Sequence, residues 1–111
     1  SLLMDAFFEL RTYKILPGKM NEWIHFMEGT IMPFQVSKGM VIHGSFTVEE
    51  DNDTYVWIRR FENEQERISL YKKVYESDEW LNGMDKTVEK LIDRSATVVK
   101  RLKSTDMSVM K

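Results

Sequence analysis

Glu9-Leu10-Arg11-Thr12-Tyr13, followed by Leu16-Pro17-Gly18-Lys19, decides how the chain begins. Apolar and polar residues alternate from Phe7 to Ile15, the period of a strand whose successive side chains point to opposite faces. Glu9, Arg11 and Tyr13 therefore share one face. Pro17-Gly18 ends the strand. From Asn21 the apolar positions Trp23, Ile24, Phe26, Met27, Ile31 and Phe34 follow helical spacing. Pro33 lacks an amide donor, which predicts a kink or a two-piece helix. Lys38-Gly39 is a stop, because glycine accepts the left-handed conformation in which helices commonly end.

Downstream, Met40 to Val48 reads as a second strand, Asp51-Asn52-Asp53 as a turn, and Tyr55 to Phe61 as a third strand rich in aromatic and β-branched residues. Asn63 is placed to cap the next helix, with Glu66 reaching back. Ile68, Tyr71, Val74 and Tyr75 then line one face. Ser77 reads as a second cap, and Asp78 and Glu79 suit the positive end of the helix dipole. Trp80, Leu81, Met84, Val88, Leu91 and Ile92 continue at helical spacing to about Asp93. Ala96 to Leu102 is the fourth strand, and the polar tail from Ser104 is expected to fray. The order is βαββαβ, with the second helical region broken near Ser77. It predicts an α+β, ferredoxin-like fold: a four-stranded antiparallel sheet with helices on one face. A domain over 5–103 and a tail over 104–111 are expected.

The 111 residues suit one domain, and 42% hydrophobic with 31% charged content argues against disorder. A net charge of -2 argues against a general nucleic-acid binder or an acidic-membrane binder, which need a strong positive field. With no cysteine, disulfides, thiolate catalysis and cysteine-held metals are excluded. That absence fits a reducing interior, and a cytoplasmic location is expected. No apolar run approaches the ~20 residues of a membrane helix, so membrane insertion is not expected. No leader with a basic start is read, and Ser1-Leu2 is expected to be a cloning remnant. The eight methionines suit adaptable core filling or a deformable ligand pocket.

Apolar residues occupy both faces of the central strands. On the third, Tyr55, Trp57 and Phe61 oppose Val56 and Ile58. On the second, Met40, Ile42, Phe46 and Val48 oppose Val41 and His43. Leaving such a face wet is unfavourable, since one large apolar side chain is worth about 1.5–3 kcal/mol on burial. A second copy packed sheet to sheet about a two-fold axis is the simplest cover, so a homodimer is expected.

Arg11 and Tyr13 share a face with Glu9, and Tyr55, Trp57 and Arg59 share another. If these coincide beneath the helices, Tyr71, Tyr75 and Trp80 close an aromatic pocket over them, a usual site for a small aromatic or apolar ligand. The expected ligand-binding residues are Arg11, Tyr13, Trp57, Arg59, Tyr71 and Trp80. Arg11 or Arg59 would hold a carboxylate or enolate by paired hydrogen bonds, and Tyr13 would donate to a carbonyl. The plainer alternative is structural: Glu9 bonded to one arginine, with the aromatics filling the core. Catalytic candidates are Arg11, Tyr13 and His43, the last as a general base or axial haem ligand. His43 and His25 read equally as satisfied core residues. No zinc spacing, calcium loop, phosphate loop or nucleophile elbow is present, so no metal or cofactor is expected. Lys100, Arg101 and Lys103 read as a solvated edge.

Glu9-Leu10-Arg11-Thr12-Tyr13 with Pro17-Gly18-Lys19, Gly39, Gly44, Trp57-Ile58-Arg59, Arg67 and Ser77-Asp78-Glu79-Trp80 resembles the NIPSNAP family over residues 8–102. An acidic turn, Glu49 to Asp53, stands where the resemblance implies a glycine-containing one. The resemblance implies a dimeric α+β barrel. That wider group includes cofactor-independent monooxygenases, haem-degrading enzymes and small-ligand isomerases, while some NIPSNAP proteins are linked to mitochondria and vesicle handling. Two functions stay open: a ligand-binding barrel dimer with monooxygenase-like chemistry, or a non-catalytic homodimeric protein-interaction module. An enzyme and a non-enzymatic protein both fit this pattern.

Overall fold

Four strands and a set of short helical pieces make up the computed structural model, which describes residues 5–111; the expected remnant at Ser1-Leu2 lies outside them. The strands are β1 (Phe7–Ile15), β2 (Val41–Thr47), β3 (Thr54–Phe61) and β4 (Ile92–Leu102). They form one sheet in the order β2-β3-β1-β4, every neighbouring pair antiparallel. This is the ferredoxin-like arrangement expected from the element order.

The first helical region runs as α1 (Met20–Phe26), a π-helical turn (Met27–Ile31) and α2 (Met32–Ser37). Pro33 sits at the start of α2, so the two-piece helix expected there takes this form. Proline cannot donate to the turn before it, and the wider turn upstream absorbs the break. The buried positions are Trp23, Met27, Ile31 and Gln35, spaced four apart. A regular helix would drift about 40° at each such step; the π turn counters the drift and keeps all four on one face. The second region runs as α3 (Glu64–Tyr75), a π-helical turn (Trp80–Met84) and α4 (Asp85–Leu91). Asn63 accepts from the Glu66 amide at 2.8 Å, as its capping role requires, and Glu66 reaches back to the Glu62 amide at 3.0 Å. Ser77 caps the next segment through the Trp80 amide at 3.1 Å.

Several expectations change. On α3 the buried stripe is Leu70 and Val74 beside Tyr71 and Tyr75, while Ile68 is exposed; residues 68 and 70 lie about 200° apart around a helix. Leu81 is exposed as well, because the π turn shifts it off the buried face. Ile92 begins β4 directly after α4 instead of ending the helix. In β2 the register slips between Ile42 and Gly44. The extra residue at this bulge flips every later side chain. Phe46 therefore pairs with Val56 and joins Val41 on the face away from the helices, instead of sharing a face with Ile42. Both histidines are exposed, not core residues. The tail turns back: Ser104 Oγ donates to the Met110 carbonyl at 2.6 Å, and Arg60 Nε donates to the Lys111 carbonyl at 2.5 Å.

The helix-side face of β1 and β3 is laid out in matched rows. Phe7 faces Phe61, Glu9 faces Arg59, Arg11 faces Trp57 and Tyr13 faces Tyr55. Rows one and four belong to two apolar clusters. Phe7, Met40, Phe61, Leu70 and Val74 pack at one end, and Tyr13, Trp23, Met27, Trp57 and Leu91 at the other. A polar seam of Glu9, Arg59 and Gln35, all buried, lies between them. The opposite face carries Phe8, Leu10, Val56 and Ile58, with Val41, Phe46, Val98 and Leu102 between 40% and 52% exposed.

Candidate functional site

A cavity of about 470 Å³ opens between the sheet and the helices, over the Arg11–Trp57 row. The strands supply Arg11, Tyr13 and Trp57 to its floor, α3 supplies Tyr71 and Tyr75, and the two π turns contribute Ile31 and Trp80. π turns redirect side chains without ending a helix, which is why they recur at such places. Asp85 and Arg94 stand at the rim. Arg94 Nη2 donates to Asp85 Oδ1 at 2.6 Å and to the Asp85 carbonyl at 3.0 Å.

Five of the six residues expected to bind ligand line this space: Arg11, Tyr13, Trp57, Tyr71 and Trp80. Arg59 does not. It is fully buried in the seam beneath, and its Cζ lies 4.5 Å from the centre of the Trp57 ring. His43, the third catalytic candidate, lies away from the cavity. Its ring meets Phe8 edge-on at 5.2 Å, and Phe8 belongs to the face the helices leave bare.

The hydrogen bonds separate the two arginines. Arg59 donates from Nε and Nη2 to Glu9 Oε1 at 3.1 and 2.6 Å, and from Nη2 to the Tyr71 hydroxyl at 3.2 Å. Its Nη1 donates to Gln35 Oε1 at 2.8 Å and to the Tyr75 hydroxyl at 2.7 Å. Its five N–H groups are thus all engaged. Arg11 donates from Nε to Glu9 Oε1 at 2.9 Å, from Nη1 to the Tyr13 hydroxyl at 3.3 Å and from Nη2 to the Tyr71 hydroxyl at 3.0 Å. The Tyr71 hydroxyl donates to Glu9 Oε2. The expected pairing of Glu9 with one arginine is therefore a pairing with both.

Burial pushes the Glu9 carboxyl up, but Arg59 and Arg11 outweigh it and hold its pKa below the ordinary value. Burial opposes the charge on Arg11, yet the surrounding phenols and Glu9 raise its pKa overall. Burial raises the Tyr13 and Tyr71 phenols, which stay protonated, and pushes Tyr55 up to about 12.

Residue type alone does not mark Gln35; its four-residue spacing from Ile31 is the signal the sequence carries. Asp85, Arg94 and Thr97 also line the cavity and carry no local pattern that marks them; only the fold brings β4 to α4. Among the described residues, no group of three or more His, Cys, Asp or Glu side chains is placed to hold a metal ion, and no helix is long and apolar enough to cross a membrane.

The family model described as NIPSNAP matches residues 8–105. Among solved structures, the chain is similar to a NIPSNAP family protein of unknown function from Agrobacterium tumefaciens, with 22% identity over 97% of this chain and 96% of that one, and a TM-score of 0.85. A second protein of that family from the same organism gives 20% identity over 96% and 99%, with a TM-score of 0.84. An uncharacterised NIPSNAP-like domain protein from Burkholderia xenovorans gives 19% identity over 95% and 90%, also with a TM-score of 0.84. No curated protein sequence matches the chain.

Proposed function

The chain belongs to the NIPSNAP family, and from that premise we propose a homodimeric small-molecule-binding protein whose ligand, a small aromatic or apolar molecule, sits between sheet and helices. The observation that carries this reading is the cavity of about 470 Å³ walled by Trp57, Tyr71, Tyr75 and Trp80. Protein interiors leave few voids larger than a water molecule, and a space of several hundred Å³ with aromatic walls and a few polar groups is the usual form of a ligand site. Flat rings offer a planar molecule large contact area at little entropic cost. A pocketless interaction module would have no use for such a space. The dimer is supported by the half-exposed Val41, Phe46, Val98 and Leu102 on the face the helices leave bare, which a second copy would cover.

Native mass spectrometry of freshly purified protein tests both parts. The expected result is two subunits and a retained small molecule, or a titratable response of tryptophan fluorescence to aromatic compounds once it is stripped. A single subunit at micromolar concentration would refute the dimer. Protein that carries nothing and answers to no aromatic compound would refute the binding role.

A further inference from the structure

We propose that the ligand is a conjugated organic monoanion, a planar molecule with one carboxylate, enolate or phenolate group, seated with its charged oxygen on Arg11. The inference rests on the binding role above and narrows it to a chemical class.

The first ground is charge. The seam and its cavity edge hold two guanidinium groups, buried Arg59 and half-buried Arg11, against one carboxylate, Glu9. Glu9 stays ionised between them, so the cluster carries one uncompensated positive charge. Asp85 and Arg94 at the rim pair with each other and leave that balance unchanged. A buried charge is costly unless paired. Arg59 is enclosed, whereas the Arg11 side chain is 20% exposed and lines the cavity. The missing negative charge therefore has one place to arrive.

The second ground is the donor inventory. Of the five N–H groups of Arg11, three are used. One on Nη1 and one on Nη2 have no partner among the described residues. The Tyr13 hydroxyl accepts from Arg11, and its own proton has no acceptor there either. The indole N–H groups of Trp23 and Trp57, on residues no more than 2% exposed, are buried without a partner. Both rings border the cavity, but their N–H groups, unpartnered among the described residues, are closed even to water, so the spare donors a guest can reach are those of Arg11. Unpartnered buried donors are costly and uncommon in native interiors. Glu9 accepts from three groups, Gln35 from Arg59 and Asp85 Oδ1 from Arg94, while Asp85 Oδ2 and the Thr97 hydroxyl at the lining have no partner among the described residues. With Glu9 fully engaged and Arg11 left with donors to spare, the Arg11 end of the lining favours a guest that brings acceptors. Two N–H groups on one guanidinium match the two oxygens of a carboxylate, and the aromatic walls suit a conjugated body.

The test titrates the intact protein with 1-naphthoate, with neutral 1-naphthamide and with cationic 1-naphthylmethylammonium, following tryptophan fluorescence and heat of binding. The naphthoate is expected to bind at least tenfold more tightly than the amide, and the cation not to register. In Arg11→Gln that anion preference should fall to within about twofold, and Arg11→Lys should recover part of it. Equal or tighter binding of the amide would overturn the monoanion while leaving a small-molecule site in place. An anion preference undiminished in Arg11→Gln would overturn the role of Arg11. No response to any of the three would overturn both this inference and the binding role beneath it. Should Arg11→Gln not fold, the comparison of anion with amide in the unaltered protein decides alone.

Discussion

Glu9 is the residue on which the interior balances. It accepts from Arg11, Arg59 and Tyr71 while nearly excluded from water. Glu9→Gln removes the only negative charge between two guanidinium groups. Stripping one partner from a buried ion pair typically costs about 3–5 kcal/mol, and a loss of that size is expected in chemical denaturation. The acid limb should change with it. Because the folded pKa of Glu9 lies below its ordinary value, its contribution is complete above the ordinary carboxylate range. It is lost as pH falls through the depressed folded value. Glu9→Gln should flatten that part of the stability profile. Tyr55 acts at the other end with the opposite sign. Burial lifts its phenol from 10.0 to about 12, so its contribution is complete below about pH 10 and disappears as pH rises through 12. Tyr55→Phe, which also gives up the bond to Ser45 at 2.5 Å, should flatten the alkaline limb in a denaturation series against pH.

At the level of elements, the stops and caps are where single substitutions should tell. Asn63→Ala removes the side-chain acceptor for the Glu66 amide and is expected to cost about 1 kcal/mol. Gly39 has φ +109°, and a Cβ there would meet Leu70 Cδ2 at 3.1 Å. Gly39→Ala should therefore lose more than about 1 kcal/mol, read as a lower midpoint of thermal or urea unfolding. These same features explain what could be read without coordinates. Pro17-Gly18, Lys38-Gly39, Asn63 and Ser77 each have a local chemical meaning, so the boundaries they set were legible. So was the sharing of a face by Glu9, Arg11 and Tyr13, because strand period fixes it. What escaped were the places where the chain gains a residue. The bulge near His43 moves Phe46 across the sheet, and the π turns carry Gln35 inward and Leu81 outward. A periodic pattern assumes constant pitch, and a one-residue insertion leaves no trace in composition. The separate fates of Arg11 and Arg59 were hidden for another reason. Both lie on the helix-side face of the sheet, and only the approach of Gln35 and Tyr75 saturates one and spares the other.

At the scale of the whole molecule, the sheet has one face under helices and one that the chain itself leaves partly bare. If a second copy covers the bare face as proposed, Phe46→Asp places a charge within that contact. Light scattering should then read a single subunit where the unaltered protein reads two. An unchanged mass would point to a contact elsewhere on the surface. The polar seam has its own consequence. It divides the interior into an end packed around Phe7 and Phe61 and a hollow end around Tyr13 and Trp57. Local openings start where packing is least complete. Amide protons of β1 near Phe7 should therefore outlast those near Tyr13 in deuterium exchange, the hollow half breathing to admit the proposed guest while the other half stays shut.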